Sequence, residues 1–218
     1  MFRVVTVARE YGSGGGRIAQ LLADRLGWKL LDRCLIERIA EAAQVEPAVA
    51  ARYDERPDPW IERLAKAFGQ VAGYIPGSQP DLFGAEAMAS LTQHVIEEAA
   101  EIGNCVIVGR GSQCILQQRT DAFHVFIYAP QAEKLSRVRN RRPALTEAAA
   151  KEALNAQDRE RAAYVRRFFD HDWSNRHLYH LMISSCLGEA VAVPTILSAM
   201  GVAQEKLASA GRGGRHEG

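Results

Sequence analysis

The stretch VVTVAREYGSGGGRIA, residues 4–19, predicts a strand, a glycine loop and a helix in direct succession. Residues 4–7 are β-branched and mostly apolar, which is typical of a buried strand. Four of the five residues 12–16 are glycine, and apolar residues then recur at helical spacing: Ile18, Leu21, Leu22 and Leu26. Such a loop presents backbone N–H groups to an anion. A plain turn needs fewer glycines, so we predict a phosphate site formed by Gly12, Ser13, Gly14, Gly15 and Gly16.

Composition favours one α/β domain with a core of its own. The chain has 218 residues, is 47% hydrophobic and carries a formal net charge of +1, which argues against a nucleic-acid binder or a membrane-surface protein. The four cysteines show no CxxC spacing, so we expect reduced thiols and a cytoplasmic protein. Only five of the 27 basic residues are lysine. Arginine suits bidentate phosphate contacts, although a GC-rich genome would account for part of this excess.

Two further strand ends carry candidate binding residues. Residues 28–32 predict a short strand ending in Asp32, which could cap the next helix or face a substrate. Residues 104–108 predict a central strand that ends in Gly109-Arg110-Gly111. An arginine between two glycines at the carboxyl end of a strand is well placed to project into a crevice, so we favour a binding role for Arg110 over a solvent-exposed turn.

Residues 53–84 differ in composition from the rest of the chain. Prolines and glycines interrupt this segment, and aromatic residues lie among them. We predict a mobile insertion on the acceptor side of the site; the same aromatic residues would equally suit a contact in a homodimer.

Arginines are concentrated in two predicted helices between residues 131 and 169. Eight arginines in about thirty positions exceed what helix-end charge and ordinary i,i+4 pairs explain. We predict a lid, residues 138–170, that closes on phosphates. His124 lies in a predicted strand and is expected to be a core or sheet-edge residue, and His171, Asp172 and His177 show no metal spacing. We expect a disordered tail at residues 206–218.

Taken in order along the chain, several sequence blocks resemble those of the cytidylate kinase-like proteins, a branch of the P-loop nucleoside monophosphate kinases. The blocks that carry the resemblance are residues 8–16, 26–32, 106–111, 126–130 and 158–173, which together span nearly the whole chain except the tail. The resemblance implies a three-layer α/β P-loop NTPase fold over residues 1–205, with a parallel five-stranded sheet and helices on both faces. It implies phosphoryl transfer from ATP with Mg²⁺ to CMP or dCMP.

The resemblance also implies roles for individual residues. Residues 12–16 would wrap the donor phosphates. The acceptor nucleotide would contact Asp32, Arg38, Arg110 and Asp158. The transferred group would be stabilised by Arg139, Arg142 and Arg161.

One departure from the usual P-loop concerns its lysine. The ordinary motif reads GxxxxGK[ST], but the lysine position is Gly15 here, Gly16 follows it, and Arg9 replaces the first glycine. A unit charge near a phosphate is worth roughly 4 kcal/mol at an intermediate dielectric. We therefore expect Arg9 or Arg17 to supply the charge, with Arg9 favoured because it leaves the strand directly beneath the loop.

Two other functions stay open on the sequence. Residues 14–19 fit GxGxxA and Asp32 lies 18 residues beyond Gly14, as in an NAD(P)-binding oxidoreductase, but three residues separate the strand from the glycines. A nucleotide sensor without turnover would also be consistent with the missing lysine.

Overall fold

The computed structural model describes residues 1–32, 63–64 and 85–213. Numbered over this part of the chain, the elements are β1 (Val4–Arg9), α1 (Gly15–Leu26), β2 (Lys29–Leu31), α2 (Ala85–Ile102), β3 (Cys105–Val108), α3 (Ser112–Ile115), β4 (Ala122–Tyr128), α4 (Gln131–Arg141), α5 (Glu147–Phe169), β5 (Leu181–Ser184) and α6 (Glu189–Gly213). Short 3₁₀ turns at Arg176–Leu178 and Ser185–Leu187 flank β5. No helix in these ranges is both long enough and apolar enough to span a membrane.

The strands form one five-stranded sheet in the order β2-β3-β1-β4-β5. β1 is parallel to β3 and to β4, and β4 is parallel to β5. This confirms the predicted parallel α/β sheet of the P-loop class. Because parallel strands end at a common edge, the glycine loop after β1 and residues 109–111 after β3 open at the same edge of the sheet.

One face of the sheet is covered by α1 and α6. Val5 and Val7 of β1 and Val125 of β4 are fully buried in this core, together with Ile18 of α1 and Ile196 of α6. The β-branched run of β1 thus packs under the helix that follows it. This packing holds the two ends of the glycine loop, the end of β1 and the start of α1, in place.

The chain divides into two compact units, Met1–Leu30 with Asn104–Gly218, and Leu31–Gly103. The insertion predicted at residues 53–84 falls within the second unit. Within it, Arg63 Nε donates to Glu98 Oε1 of α2 at 2.6 Å, and Leu64 is fully buried. Arg38 lies outside the described residues, as does the predicted insertion apart from residues 63–64.

The last helix extends into the predicted tail. We expected disorder from residue 206, but the backbone is helical to Gly213. The reason is composition, because residues 202–210 are mostly strong helix formers such as alanine, glutamine, glutamate, lysine and leucine. Residues 214–218 lie outside the described part of the chain.

His124 of β4 lies in the sheet, as expected of a core histidine. Its Nδ1 pairs with the Thr6 hydroxyl at 2.8 Å, and its ring stacks on that of His180 at 5.0 Å. The His124 N–H donates to His180 Nδ1 at 2.9 Å. Burial and the neighbouring His180 lower the pKa of His124 from 6.5 to about 4, so the ring is neutral near pH 7.

We expect this histidine to make the fold sensitive to acid. The unfolded chain takes up the proton near pH 6.5, whereas the folded chain takes it up only near pH 4. The free energy of unfolding therefore falls as the pH drops through this window, by about 3 kcal/mol from this group. Urea unfolding at a series of pH values tests this. His124→Gln should flatten the pH dependence, and the exposed control His177→Gln should keep it; equal slopes for all three proteins would contradict the assignment.

Candidate active site

The side chain of Ser13 forms hydrogen bonds within the glycine loop. Gly14 caps α1 in the left-handed region with φ 79°, and the buried Ser13 hydroxyl donates to the Glu10 carbonyl at 2.8 Å. The same hydroxyl accepts a hydrogen bond from the Gly15 N–H at 3.3 Å. The Ser13 N–H also donates to the Glu10 carbonyl, at 3.3 Å, so both donors of Ser13 are used inside the loop.

Several backbone donors of the loop remain available. Among the described residues, the N–H groups of Gly12, Gly14 and Gly16 have no hydrogen-bond acceptor. A Cβ atom on Gly16 would meet nothing within 4 Å, so the space above the start of α1 is open. Unpaired N–H groups at the N-terminus of a twelve-residue helix fit the phosphates of a nucleotide.

Arg9 runs beneath this loop. A Cβ atom on Gly15 would lie 2.6 Å from Arg9 Cβ, and a Cβ atom on Gly109 would collide with the Arg9 guanidinium. The side chain therefore starts under the position where an ordinary P-loop carries its lysine. It ends at the carboxyl end of β3, so Arg9 connects the glycine loop with the residues that precede Arg110.

A cleft of about 600 Å³ opens over the loop. Its wall includes all of residues 9–18 and one face of α4. The cationic side chains that line it are Arg9, Arg17, Arg137, Arg141 and Arg161. A concave site with convergent arginines over bare backbone is suited to a polyphosphate.

The arginines of α4 that face the cleft are not the ones predicted from the sequence. Arg137 Nη1 donates to the Ser13 carbonyl at 2.6 Å and to Ser185 Oγ at 2.8 Å, and Arg141 lies one turn further along the cleft wall. Arg139 points away and pairs with the exposed Glu147 at 3.4 Å.

Arg142 lies apart from the main cleft. It lines a separate cavity of about 170 Å³ together with Tyr11, Val138 and Arg141. The sequence signal that indicates which face of α4 meets the cleft is the apolar pair Leu135 and Val138. These two residues pack inward and so set the rotation of the helix.

Asp158 and Arg161 lie under the first residues of the loop. Asp158 Oδ1 accepts hydrogen bonds from the Tyr11 N–H at 2.7 Å and from Arg161 Nη1 at 3.1 Å, while Arg161 Nη1 also donates to the Arg9 carbonyl at 2.9 Å. Burial lowers the pKa of Arg161, and the charge of Asp158 opposes that shift. These contacts hold the backbone of the loop, so the acceptor contact expected for Asp158 stays a prediction.

Arg17 extends into solvent from the first turn of α1. Its Nε lies 3.6 Å from Glu189 Oε2, with both side chains more than half exposed. A pair this exposed contributes little and could open readily. Arg17 lines the outer part of the cleft, whereas Arg9 lies beneath the loop.

Arg110 is held in an unusual backbone conformation. Gly109, Arg110 and Gly111 all have positive φ, of 74°, 58° and 71°. A left-handed arginine is strained, and strain of this kind is concentrated at functional sites. The ring of Phe169 covers Gly111, and the positive charge of Arg110 partly offsets the rise that burial causes in the pKa of Tyr164. Asp32 directly follows β2 and belongs to the second unit.

The residues around the loop do not suit a Mg²⁺ ion held by the protein. The Ser13 hydroxyl is engaged within the loop, and Glu10 and Asp158 both contact Lys134. Across the described ranges, no three His, Cys, Asp or Glu side chains are grouped as metal ligands.

A short segment of this chain resembles the sequence of a known kinase. A segment of 42 residues is 52% identical to the cytidylate kinase of Shewanella sediminis (strain HAW-EB3), and it covers 19% of this chain and 18% of that protein. The chain thus aligns with about a fifth of the length of that curated relative.

Similar solved structures cover almost the whole chain. A crystal structure of an uncharacterized protein from Eubacterium ventriosum ATCC 27560 has a TM-score of 0.62 at 22% identity, over 91% of this chain and 99% of that one. A shikimate kinase from Bacteroides thetaiotaomicron has a TM-score of 0.46 at 14% identity, over 94% of this chain and 97% of its own. The first likeness supports the fold alone.

The family assignment comes from a match along most of the sequence. The model of the cytidylate kinase-like family matches residues 4–186, which include the glycine loop, the end of β3, and helices α4 and α5. With the glycine loop, the parallel sheet and the arginine-lined cleft in their expected order, this chain belongs to the cytidylate kinase-like family.

Proposed function

We propose that this protein transfers the terminal phosphoryl group of ATP to a nucleoside monophosphate, with CMP or dCMP as the acceptor and ADP and CDP or dCDP as products. The observation that carries the proposal is the cleft, where unpaired N–H groups at the start of α1 face a wall of arginines. Phosphoryl transfer requires mainly positioning and neutralisation of charge, which such a cleft can supply.

Arg9 is the best candidate to replace the P-loop lysine. Its stem takes the space below Gly15, and its guanidinium reaches Gly109 at the adjacent strand end, beside Arg110. A charge in that position would stand between a donor held by the loop and an acceptor held at the end of β3. Arg17, by contrast, is exposed and pairs with Glu189, which suits a contact with the outer phosphates.

On α4, the geometry favours a pair of arginines that the sequence did not single out. Arg137 and Arg141 line the cleft, so we assign the phosphate contacts of this helix to them, ahead of Arg139 and Arg142. Bound phosphate oxygens would compete with the Ser13 carbonyl for the Arg137 guanidinium. A guanidinium that has several acceptors within reach can make this exchange without becoming unpaired.

A nucleotide sensor without turnover is the second candidate. The hydrogen bond from the Ser13 hydroxyl to the Glu10 carbonyl favours this function, because the hydroxyl is then not presented to a metal. A direct assay separates the two functions. We expect ADP to form from ATP and Mg²⁺ in the presence of CMP or dCMP, and more slowly with AMP, GMP or UMP. Binding of ATP by calorimetry without ADP formation would favour the sensor, and tight binding of NAD(H) without affinity for ATP would favour an oxidoreductase.

Removal of the Arg9 guanidinium should abolish most turnover while the fold survives. We expect Arg9→Ala to lower kcat by about 10³-fold, the scale on which a transition-state arginine acts. Arg159→Ala is the matched control, because this exposed arginine on α5 pairs with the surface residue Glu152 and does not line the cleft. Near-normal kcat in Arg9→Ala, with an unchanged circular dichroism spectrum, would remove Arg9 from this role.

The steric relation between Arg9 and Gly15 can be tested without any assay of activity. Gly15→Ala should lower the free energy of unfolding by about 1–3 kcal/mol, because the new Cβ would lie 2.6 Å from Arg9 Cβ. Gly16→Ala is the control, since its Cβ meets nothing within 4 Å and alanine favours a helix. The cost at Gly15 should shrink when Arg9 is also changed to glycine. The same cost in both backgrounds would show that the contact with Arg9 is not its source.

A further inference from the structure

Four charged side chains meet beside the glycine loop: the carboxylates of Glu10 and Asp158 and the cations of Lys134 and Arg161. Glu10 and Arg161 are also part of the cleft wall, whereas Asp158 and Lys134 are not among the residues that line it. Lys134 Nζ lies 3.0 Å from Glu10 Oε2 and 3.5 Å from Asp158 Oδ2. Arg161 Nη1 lies 3.1 Å from Asp158 Oδ1. The two acids and two bases balance, and Lys134 contacts both acids.

Each carboxylate in turn holds a backbone N–H group. Glu10 Oε2 accepts a hydrogen bond from the Ala129 N–H at 3.1 Å, and Asp158 Oδ1 accepts one from the Tyr11 N–H at 2.7 Å. The first bond ties the loop to the end of β4, and the second ties the loop to α5. Lys134 joins the two carboxylates and belongs to α4, so three elements meet at its ammonium group.

Lys134 also contacts the loop directly. A Cβ atom on Gly12 would lie 3.0 Å from the Lys134 carbonyl oxygen and 3.2 Å from Lys134 Cβ. Only 13% of the Lys134 side chain is exposed. Loss of a cation this well covered would leave two carboxylates facing each other, and truncation of one partner in such a set costs more than the pair itself contributes.

We propose that Lys134 is a positioning residue, which holds the backbone of the glycine loop in the shape that receives phosphate. Its ammonium group faces the two carboxylates, and Lys134 is not among the residues that line the cleft. The phosphates are contacted by the loop and the arginines, and Lys134 acts through Glu10 and Asp158. This inference rests on the proposed function only in naming phosphate as the ligand.

The same contacts bear on the predicted lid at residues 138–170. The arginine pattern predicted helices that close on phosphates, whereas α4 is joined to the loop by Lys134 and by the bond from Arg137 to the Ser13 carbonyl. Residues 134–137 of α4 therefore support the glycine loop, and the predicted closure of residues 138–170 stays a prediction.

Hydrogen exchange at the Tyr11 amide tests the proposal without a ligand. In Lys134→Met we expect this amide to exchange about tenfold faster or more, because the charge-assisted bond to Asp158 is weakened. The amides of Val5 and Val7 in β1 should keep their protection. Lys134→Arg should restore the protection of Tyr11, and Lys151→Met, which removes an exposed lysine of α5, should leave it unchanged.

Binding of ATP provides the functional readout. By calorimetry, we expect the Kd for ATP to rise by about tenfold or more in Lys134→Met, to return toward the wild-type value in Lys134→Arg and to stay unchanged in Lys151→Met. Glu10→Gln carries the same comparison if Lys134→Met does not fold, since it keeps the shape of the side chain and removes its charge.

The outcomes distinguish this inference from the proposed function. Wild-type exchange at Tyr11 in both Lys134→Met and Glu10→Gln would overturn the role of Lys134, as would equal acceleration across β1, which indicates a general loss of stability. If the wild-type protein does not bind ATP, the proposed function fails, but the exchange of Tyr11 still decides whether Lys134 holds the loop.

Discussion

The contact between the stem of Arg9 and the bare backbone at Gly15 is the constraint on which the rest of the site depends. Because Arg9 stands at the end of β1, the backbone at Gly15 has no room for a side chain. The lysine of an ordinary P-loop is therefore excluded at position 15. Positive charge must therefore come from the strand below the loop and from the helices beside it. The guanidinium of Arg9 lies against Gly109, which leaves the start of α1 open for an anion.

The charges around the loop fall into two groups with different tasks. Beside the loop, Glu10 and Asp158 are matched by Lys134 and Arg161, and all four hold backbone or one another. Within the described part of the chain, the cleft wall carries five arginines and two acids, Glu10 and Glu189. The charge-balanced pairs support the backbone of the loop, while the excess of arginine in the wall favours an anion in the cleft.

Parts of the site followed from local pattern, and parts did not. The strand, loop and helix of residues 4–26 were predicted because burial of a β-branched run and the periodicity of α1 are both local properties. Which arginines of α4 face the cleft did not follow from local pattern, because arginine occurs at positions 137, 139, 141 and 142 and the charge pattern alone does not set the rotation of the helix. The packing of Val138 against Ala150 and Leu154 decides it, and that contact joins two helices.

By itself, the sequence determined the glycine loop, the order of strands and helices, the absence of the P-loop lysine and the likeness to cytidylate kinases. These depend on neighbours along the chain or on the order of motifs. Only the tertiary structure decided that Arg9 passes under Gly15, that Arg137 and Arg141 face the cleft, and that Lys134 joins Glu10 to Asp158. The physical reason is distance in the chain, since Glu10 and Asp158 are brought together by the sheet and by α5, and no local pattern encodes a contact across about 150 residues.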